Sequence, residues 1–257
     1  MNSRFFARVN LQNGVSNFPI SEKLLSAFSG EEPKQARSYL DDFQQIQKNR
    51  VKRLRQKFGK EIEMLRHKTV LFLGDSITSD NLGYRASVSS AAELIAYDGS
   101  VSGGTSSTIL HSAKIMIEAI KPDFVSIMIG GNDSISIERE DLNQVSVEEY
   151  RRNVAVILEW AKNIGAEILL FEITPICEMD FAAQFHKQGK LQSNQTIQRY
   201  NGVLNDLAKQ HEIPLISHTW LQKDAHFEND GVHLNIDGQE RFAEQWLIAV
   251  SDRFKKH

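Results

Sequence analysis

The sequence predicts an α/β protein, a doubly wound sandwich on a mainly parallel sheet. Three observations predict it. From Thr69 onward, short β-rich apolar runs alternate with stretches whose apolar residues recur at helical spacing. The short runs are nearly continuous in apolar residues, as parallel strands covered on both faces should be. The chain has 257 residues, 41% of them hydrophobic, enough for one large domain with an appendage.

Residues 1–33 are mixed in character and give no assignment. After Pro33, Leu40, Phe43, Ile46, Val51, Leu54, Phe58, Ile62 and Leu65 follow at three- to five-residue intervals, an amphipathic helix with an interruption near Gly59. Between Pro33 and Lys68 there are eleven Lys and Arg against four Asp and Glu. The net charge of −3 over the whole chain therefore hides a basic first quarter and an acidic remainder. The division expected is an N-terminal helical extension over 1–67 and a main domain over 68–257.

Within the main domain, strands are expected at Thr69–Leu73, Phe124–Ile129, Glu167–Ile173 and Ile213–Ile216, with a weaker one near Leu94–Gly99. Helices are expected at Ser107–Ile120, Ser146–Ile164, Thr196–His211 and Asp237–Phe254. The single cysteine, Cys177, excludes an internal disulfide framework and fits a reducing compartment. The first residues lack the apolar centre of a secretory signal, and no run reaches the roughly 18 apolar residues of a membrane span. A cytoplasmic protein is expected.

Four segments carry candidate chemistry, each at an expected strand-to-helix junction. Gly74-Asp75-Ser76 follows the first strand and presents a hydroxyl at its carboxyl end; it also reads as a turn with Asp and Ser as helix caps. Ser102-Gly103-Gly104 offers backbone N–H groups at the start of a helix, to an anion or to no ligand at all. Gly130-Gly131-Asn132-Asp133 permits close backbone approach and adds an amide donor, or else makes an Asx turn. In Asp230-Gly-Val-His233 a carboxylate lies within reach of an imidazole, which turns the far ring nitrogen outward as a base. The strands of a doubly wound sheet share one active edge, so three loops would supply nucleophile, base and donors together.

These four blocks resemble the signature blocks of the GDSL family, also called SGNH hydrolases, over roughly residues 69–250, with echoes at Glu149-Tyr150, Asn153 and Tyr200-Asn201. The resemblance implies a three-layer α/β/α fold with a flavodoxin-like sheet, and hydrolysis of esters or thioesters with no cofactor and no metal. It implies Ser76 as nucleophile, His233 as base and Asp230 as its orienting carboxylate. The oxyanion hole would use the N–H groups of Ser76 and Gly103 and the side chain of Asn132. One departure stands out: a glycine expected in the second block is Ser100, and Gly104 competes with Gly103 as donor.

Rival readings come from other classes. Cys177 follows a strand and is a second candidate nucleophile, though a small buried or loop thiol is the stronger reading. His226, Glu228, Asp230 and His233 form a weak metal pattern. A non-catalytic ligand-binding module on the same sheet is the alternative function, against which stands the lack of G-x-G-x-x-G after the first strand. The basic helix either packs on the main domain or serves an oligomer or membrane-surface contact; no nucleic-acid partner is expected. The expected substrate is a short acyl ester, with acetylated sugars, lysophospholipids and acyl thioesters left open, and residues 175–193, including Met179, Phe181 and Phe185, as a wall or lid.

Overall fold

The computed structural model describes residues 32–254, together with Lys23, Ser26, Ala27 and Gly30. The expectation for the first 31 residues therefore lies almost wholly outside the described residues. The extension begins with helix α1 (Pro33–Lys57), with proline in its first turn, where the missing N–H costs nothing. Phe58 leaves helical geometry, and α2 (Gly59–Leu65) follows, so the interruption falls where Gly59 suggested.

The main sheet contains β1 (Thr69–Gly74), β2 (Ile95–Asp98), β3 (Phe124–Met128), β5 (Glu167–Phe171) and β7 (Leu215–Ile216). A separate antiparallel pair is formed by β4 (Ser136–Ile137) and β6 (Lys190–Leu191). The main sheet is all parallel, in the order β2-β1-β3-β5-β7. The helices between the strands are α3 (Ser76–Ser79), α4 (Tyr84–Ala92), α5 (Ser106–Ile120), α6 (Val147–Asn163), α7 (Glu178–Phe185), α8 (Asn194–Gln210), α9 (Lys223–His226) and α10 (Ile236–Phe254).

Period-two alternation divides the central strands between two cores, while the edge strand β2 stays largely exposed. Leu71, Leu73, Val125, Ile127, Ile168 and Leu170 pack under α5, α6 and α8. Val70, Phe72, Phe124, Met128, Leu169 and Phe171 pack under α4, α10 and the extension, through Leu54, Phe58 and Leu65. The three-layer expectation is met. Ser126, a hydroxyl in the middle of an otherwise apolar strand, is satisfied by the indole N–H of Trp246 at 3.1 Å.

Side-chain caps stop the helices competing with the loops: Thr105, Ser146 and Ser193 accept from N–H groups of α5, α6 and α8. Four strands are shorter than expected, β2, β5 and β7 by two residues each and β3 by one, and β1 is one residue longer. Ile173 is buried by packing outside the ladder, so apolar continuity outruns hydrogen-bonded pairing there. Helix α4, with Ser and Ala at many positions and little periodicity, was not expected at all.

The basic charge of α1 is used within the chain. Arg50 is fully buried and donates to the carbonyls of Leu82 and Ile236 and to Ser87 Oγ. Arg53 holds Glu240 of α10 through two bonds of 2.6 and 2.5 Å, and Lys57 holds Glu244 at 2.8 Å. Arg55 donates to the Ala91 carbonyl at the C-terminal end of α4, where helix dipoles favour a cation. Of the readings offered for this helix, packing on the main domain is what the contacts show; they lend no support to an oligomer or membrane contact. Among the described residues no helix is long and apolar enough to cross a membrane.

Candidate active site

Strand order reverses between β1 and β3, and the crevice beyond their carboxyl ends is the natural ligand site of such a sheet. Asp75, still in extended geometry, caps the short α3 there, accepting the Ile77 N–H at 3.1 Å. Ser76 is therefore the first residue of α3, and its own N–H has no intrahelical partner. Burial pushes the Asp75 carboxyl up to about 6, against the pull of the Ile77 N–H and the His233 charge.

His233 reaches the same point from the loop before α10. Its Nε2 lies 2.8 Å from Ser76 Oγ and its Nδ1 2.6 Å from Asp230 Oδ2. A carboxylate can only accept, so the Nδ1 proton donates to Asp230 and Nε2 is left to accept from the serine hydroxyl. The other oxygen, Asp230 Oδ1, accepts the backbone N–H groups of Val232 at 2.9 Å and His233 at 3.0 Å. Burial alone would raise the Asp230 carboxyl; the bond and charge of His233 and these two N–H groups hold it below its ordinary value. Burial likewise opposes charge on His233, yet the Asp230 bond and the charges of Asp230, Asp75 and Asp80 raise its pKa above the usual histidine value.

The candidate donors gather opposite. Gly103 sits at φ +74°, a left-handed conformation suited to glycine, and lines the cavity. Hydrogen bonding separates Gly103 from Gly104. The Gly104 N–H is spent on the Val101 carbonyl at 2.8 Å, whereas no described residue accepts from Gly103. Gly104 contributes its carbonyl instead, accepting from Asn132 Nδ2 at 3.1 Å and leaving that amide's second hydrogen for the cavity. Ser100, where glycine was expected, is accommodated by Asp98, which accepts from both its N–H and its hydroxyl while pairing with Arg85 at 3.0 Å.

Asp133 joins the two donor loops. Fully buried, it accepts the N–H of Ser106 at 3.0 Å and also its hydroxyl, while Asn153 donates to Ser106 Oγ at 3.1 Å. Desolvation raises this carboxyl to about 6, offset in part by the Ser106 bonds. Gly130, at φ +124°, has no room for a Cβ: Ile173 Cδ1 would lie at 2.6 Å and the Tyr150 hydroxyl at 2.7 Å. That hydroxyl donates to the Ile129 carbonyl at 2.8 Å, so the echo at Tyr150 supports the Asn132 turn. Asn201 does the same for Ile173, binding both its N–H and its carbonyl.

Ser76, Gly103, Asn132, Asp230 and His233 all line one cavity of about 450 Å³. Its apolar wall is Ile135, Ile173, Ile176, Phe181, Phe185 and Val232, and Gln184, Gln188 and Lys190 form a polar part. The segment expected as a wall is one: α7, a 3₁₀ turn at His186–Gln188 and β6. Phe181 and Phe185 face the cavity, whereas Met179 is 73% exposed.

Cys177 is buried at 2% exposure, and its thiol lies 3.6 Å from the Lys223 carbonyl; burial pushes its pKa up, which is wrong for a nucleophile. His226 is engaged elsewhere, its Nδ1 accepting from the Gln222 N–H at 2.9 Å. Among the described residues no three His, Cys, Asp or Glu side chains converge as metal ligands would.

Comparison with known proteins agrees with this fold. A human protein, isoamyl acetate-hydrolyzing esterase 1 homolog, is 26% identical over 200 residues, covering 70% of this chain and 80% of its own length. The solved lipase/acylhydrolase from Enterococcus faecalis superposes with a TM-score of 0.57 at 20% identity, covering 72% of this chain and 96% of that one. The psychrotrophic esterase EstA from Pseudoalteromonas, inhibited by monoethylphosphonate, gives 0.55 at 18% identity, covering 73% and 99%. An acetyl-xylooligosaccharide esterase from Geobacillus gives 0.56 at 20%, covering 73% and 96%. The family model for GDSL-like lipases and acylhydrolases matches residues 72–241, and the chain belongs to that family, as a hydrolase of ester bonds.

Proposed function

We propose that the chain is a serine esterase that cleaves short acyl esters of apolar alcohols through an acyl-enzyme. The observation that carries this reading is the unbroken chain from Ser76 Oγ to His233 Nε2, 2.8 Å, and from His233 Nδ1 to Asp230 Oδ2, 2.6 Å. Ser76 Oγ attacks the carbonyl carbon as its proton passes to Nε2. The resulting oxyanion is held by the N–H groups of Ser76 and Gly103 and by Asn132 Nδ2. Collapse breaks the bond to the alcohol oxygen, which leaves with the proton from His233. Water then attacks the acyl-serine with His233 again as base, and the acid departs.

The apolar wall supports alkyl chains over sugars, and the human relative's name, which specifies isoamyl acetate, points the same way. We further propose that residues 1–67 are an extension to a catalytic domain over 68–257, with α1 clamping α4 and α10. A substrate panel tests the reading: isoamyl acetate, longer acyl esters, lysophospholipid, an acyl thioester and a sugar acetate, with wild type and Ser76→Ala. Isoamyl acetate is expected to turn over fastest and Ser76→Ala to fall to the uncatalysed rate. Turnover surviving in that variant, or preference for the sugar acetate, contradicts it.

A further inference from the structure

We propose that Gln192, which follows β6, is a positioning residue for ester hydrolysis and acts through Asn132. The inference rests on the oxyanion role of Asn132 proposed above. Asn132 sits in a tight turn in which the Ser134 N–H donates to the Gly130 carbonyl at 3.1 Å and the Ile135 N–H to the Asn132 carbonyl at 3.2 Å. One side of the turn is tied at the side chain, by the Gly104 carbonyl.

The other side is tied at the backbone. The Gly131 carbonyl accepts from Gln192 Nε2 at 2.7 Å and from Ser134 Oγ at 2.9 Å. Gln192 Nε2 donates again to Ser134 Oγ at 2.7 Å, so both its hydrogens are used and the hydroxyl is aimed at Gly131. A peptide unit is planar, so the direction of the Gly131 carbonyl sets the direction in which the chain enters Asn132. Glycine at 131 would otherwise leave that unit soft.

Gln192 is held in turn by the small ladder. Ser136 pairs with Leu191 and Ile137 with Lys190, and the Glu138 N–H donates to the Gly189 carbonyl at 2.6 Å. The substrate wall and the brace on the oxyanion turn are thus one continuous segment, and Gln192 itself lines the cavity. An ångström of misplacement at such a donor is worth on the order of a hundredfold in rate, so partial slackening belongs nearer tenfold.

The test is a double-mutant cycle on the full chain with an alkyl acetate as substrate. Gln192→Met keeps side-chain length and volume but removes both donors. It is expected to lower kcat about tenfold with KM changed less than about twofold, because ground-state binding does not need the donor in register. In the Asn132→Ala background the same substitution is expected to change kcat by less than about twofold. A tenfold loss in both backgrounds means that Gln192 acts structurally, and overturns the inference, as does no loss in the wild-type background. Full activity in Asn132→Ala alone sinks the oxyanion reading and this inference with it. Should Gln192→Met fail to fold, Ser134→Ala removes the bridging hydroxyl; its expected loss of about threefold must also vanish in the Asn132→Ala background.

Discussion

Replacing Asp230 by asparagine asks which nitrogen of His233 carries the proton. Asp230 Oδ1 accepts the N–H groups of Val232 and His233 at 2.9 and 3.0 Å, and Oδ2 takes the Nδ1 proton at 2.6 Å. An amide has only one oxygen. The two backbone donors claim it, which turns the NH₂ towards His233. Nδ1 must then accept, its proton moves to Nε2, and Nε2 becomes a donor to Ser76 Oγ across the same 2.8 Å. The base is lost with no heavy atom displaced. Locking the wrong tautomer costs about 10⁴-fold in kcat, about 5.5 kcal/mol of barrier at 1.36 kcal/mol per decade. Asp230→Ala imposes no tautomer, so its loss should be smaller. The expected order is wild type, then alanine, then asparagine. Initial rates with p-nitrophenyl acetate at mildly alkaline pH measure it, and a thermal melt checks the fold. Asparagine retaining more than a tenth of wild-type kcat, or outperforming alanine, refutes the reasoning.

Asn132→Ala should lower kcat about 10²- to 10³-fold with KM nearly unchanged, since the donor acts on the oxyanion and not on the ester; a KM effect alone contradicts this. In the proposed mechanism the base is neutral His233, whose pKa is raised mainly by Asp230 against the effect of burial. The pH profile of kcat/KM should therefore rise through an inflection above the ordinary histidine value of about 6.5, and Asp230→Ala should move that inflection down; an unmoved inflection argues against the pairing. Arg50→Met strands the carbonyls of Leu82 and Ile236 and should cost about 2–4 kcal/mol of stability in urea unfolding. A loss under about 1 kcal/mol would show that the extension is dispensable to the fold.

The sheet was legible because its central strands are buried on both faces and punctuated by Gly, Asp and Asn, whereas the exposed edge strand β2 gave a weak signal. Ser76 and Asn132 stood out because each is a short polar interruption just past the end of a central apolar run; Asp230 and His233 stood out by their spacing alone, since the structure puts them between α9 and α10 and not at the expected strand-to-helix junction. Gly103 against Gly104 was not, since the decision lies in which N–H the Val101 carbonyl takes. Gln192 was invisible for a similar reason: a glutamine after a two-residue strand carries no pattern, and its role exists only once β6 lies beside β4. Helix α4 escaped because Ser and Ala at its contacts with α1 and α10 blur the apolar period. The buried Arg50 would have been read as one more surface charge on a basic helix; the folded chain surrounds it with carbonyls.

The central claim is that Ser76 is the nucleophile. Treating the protein with a fluorophosphonate and mapping the adduct by peptide mass spectrometry tests it most directly. One adduct per chain, on Ser76, absent from Ser76→Ala and slowed in His233→Ala, is the expected result. An adduct on another residue, or equal labelling of Ser76→Ala, would contradict the account.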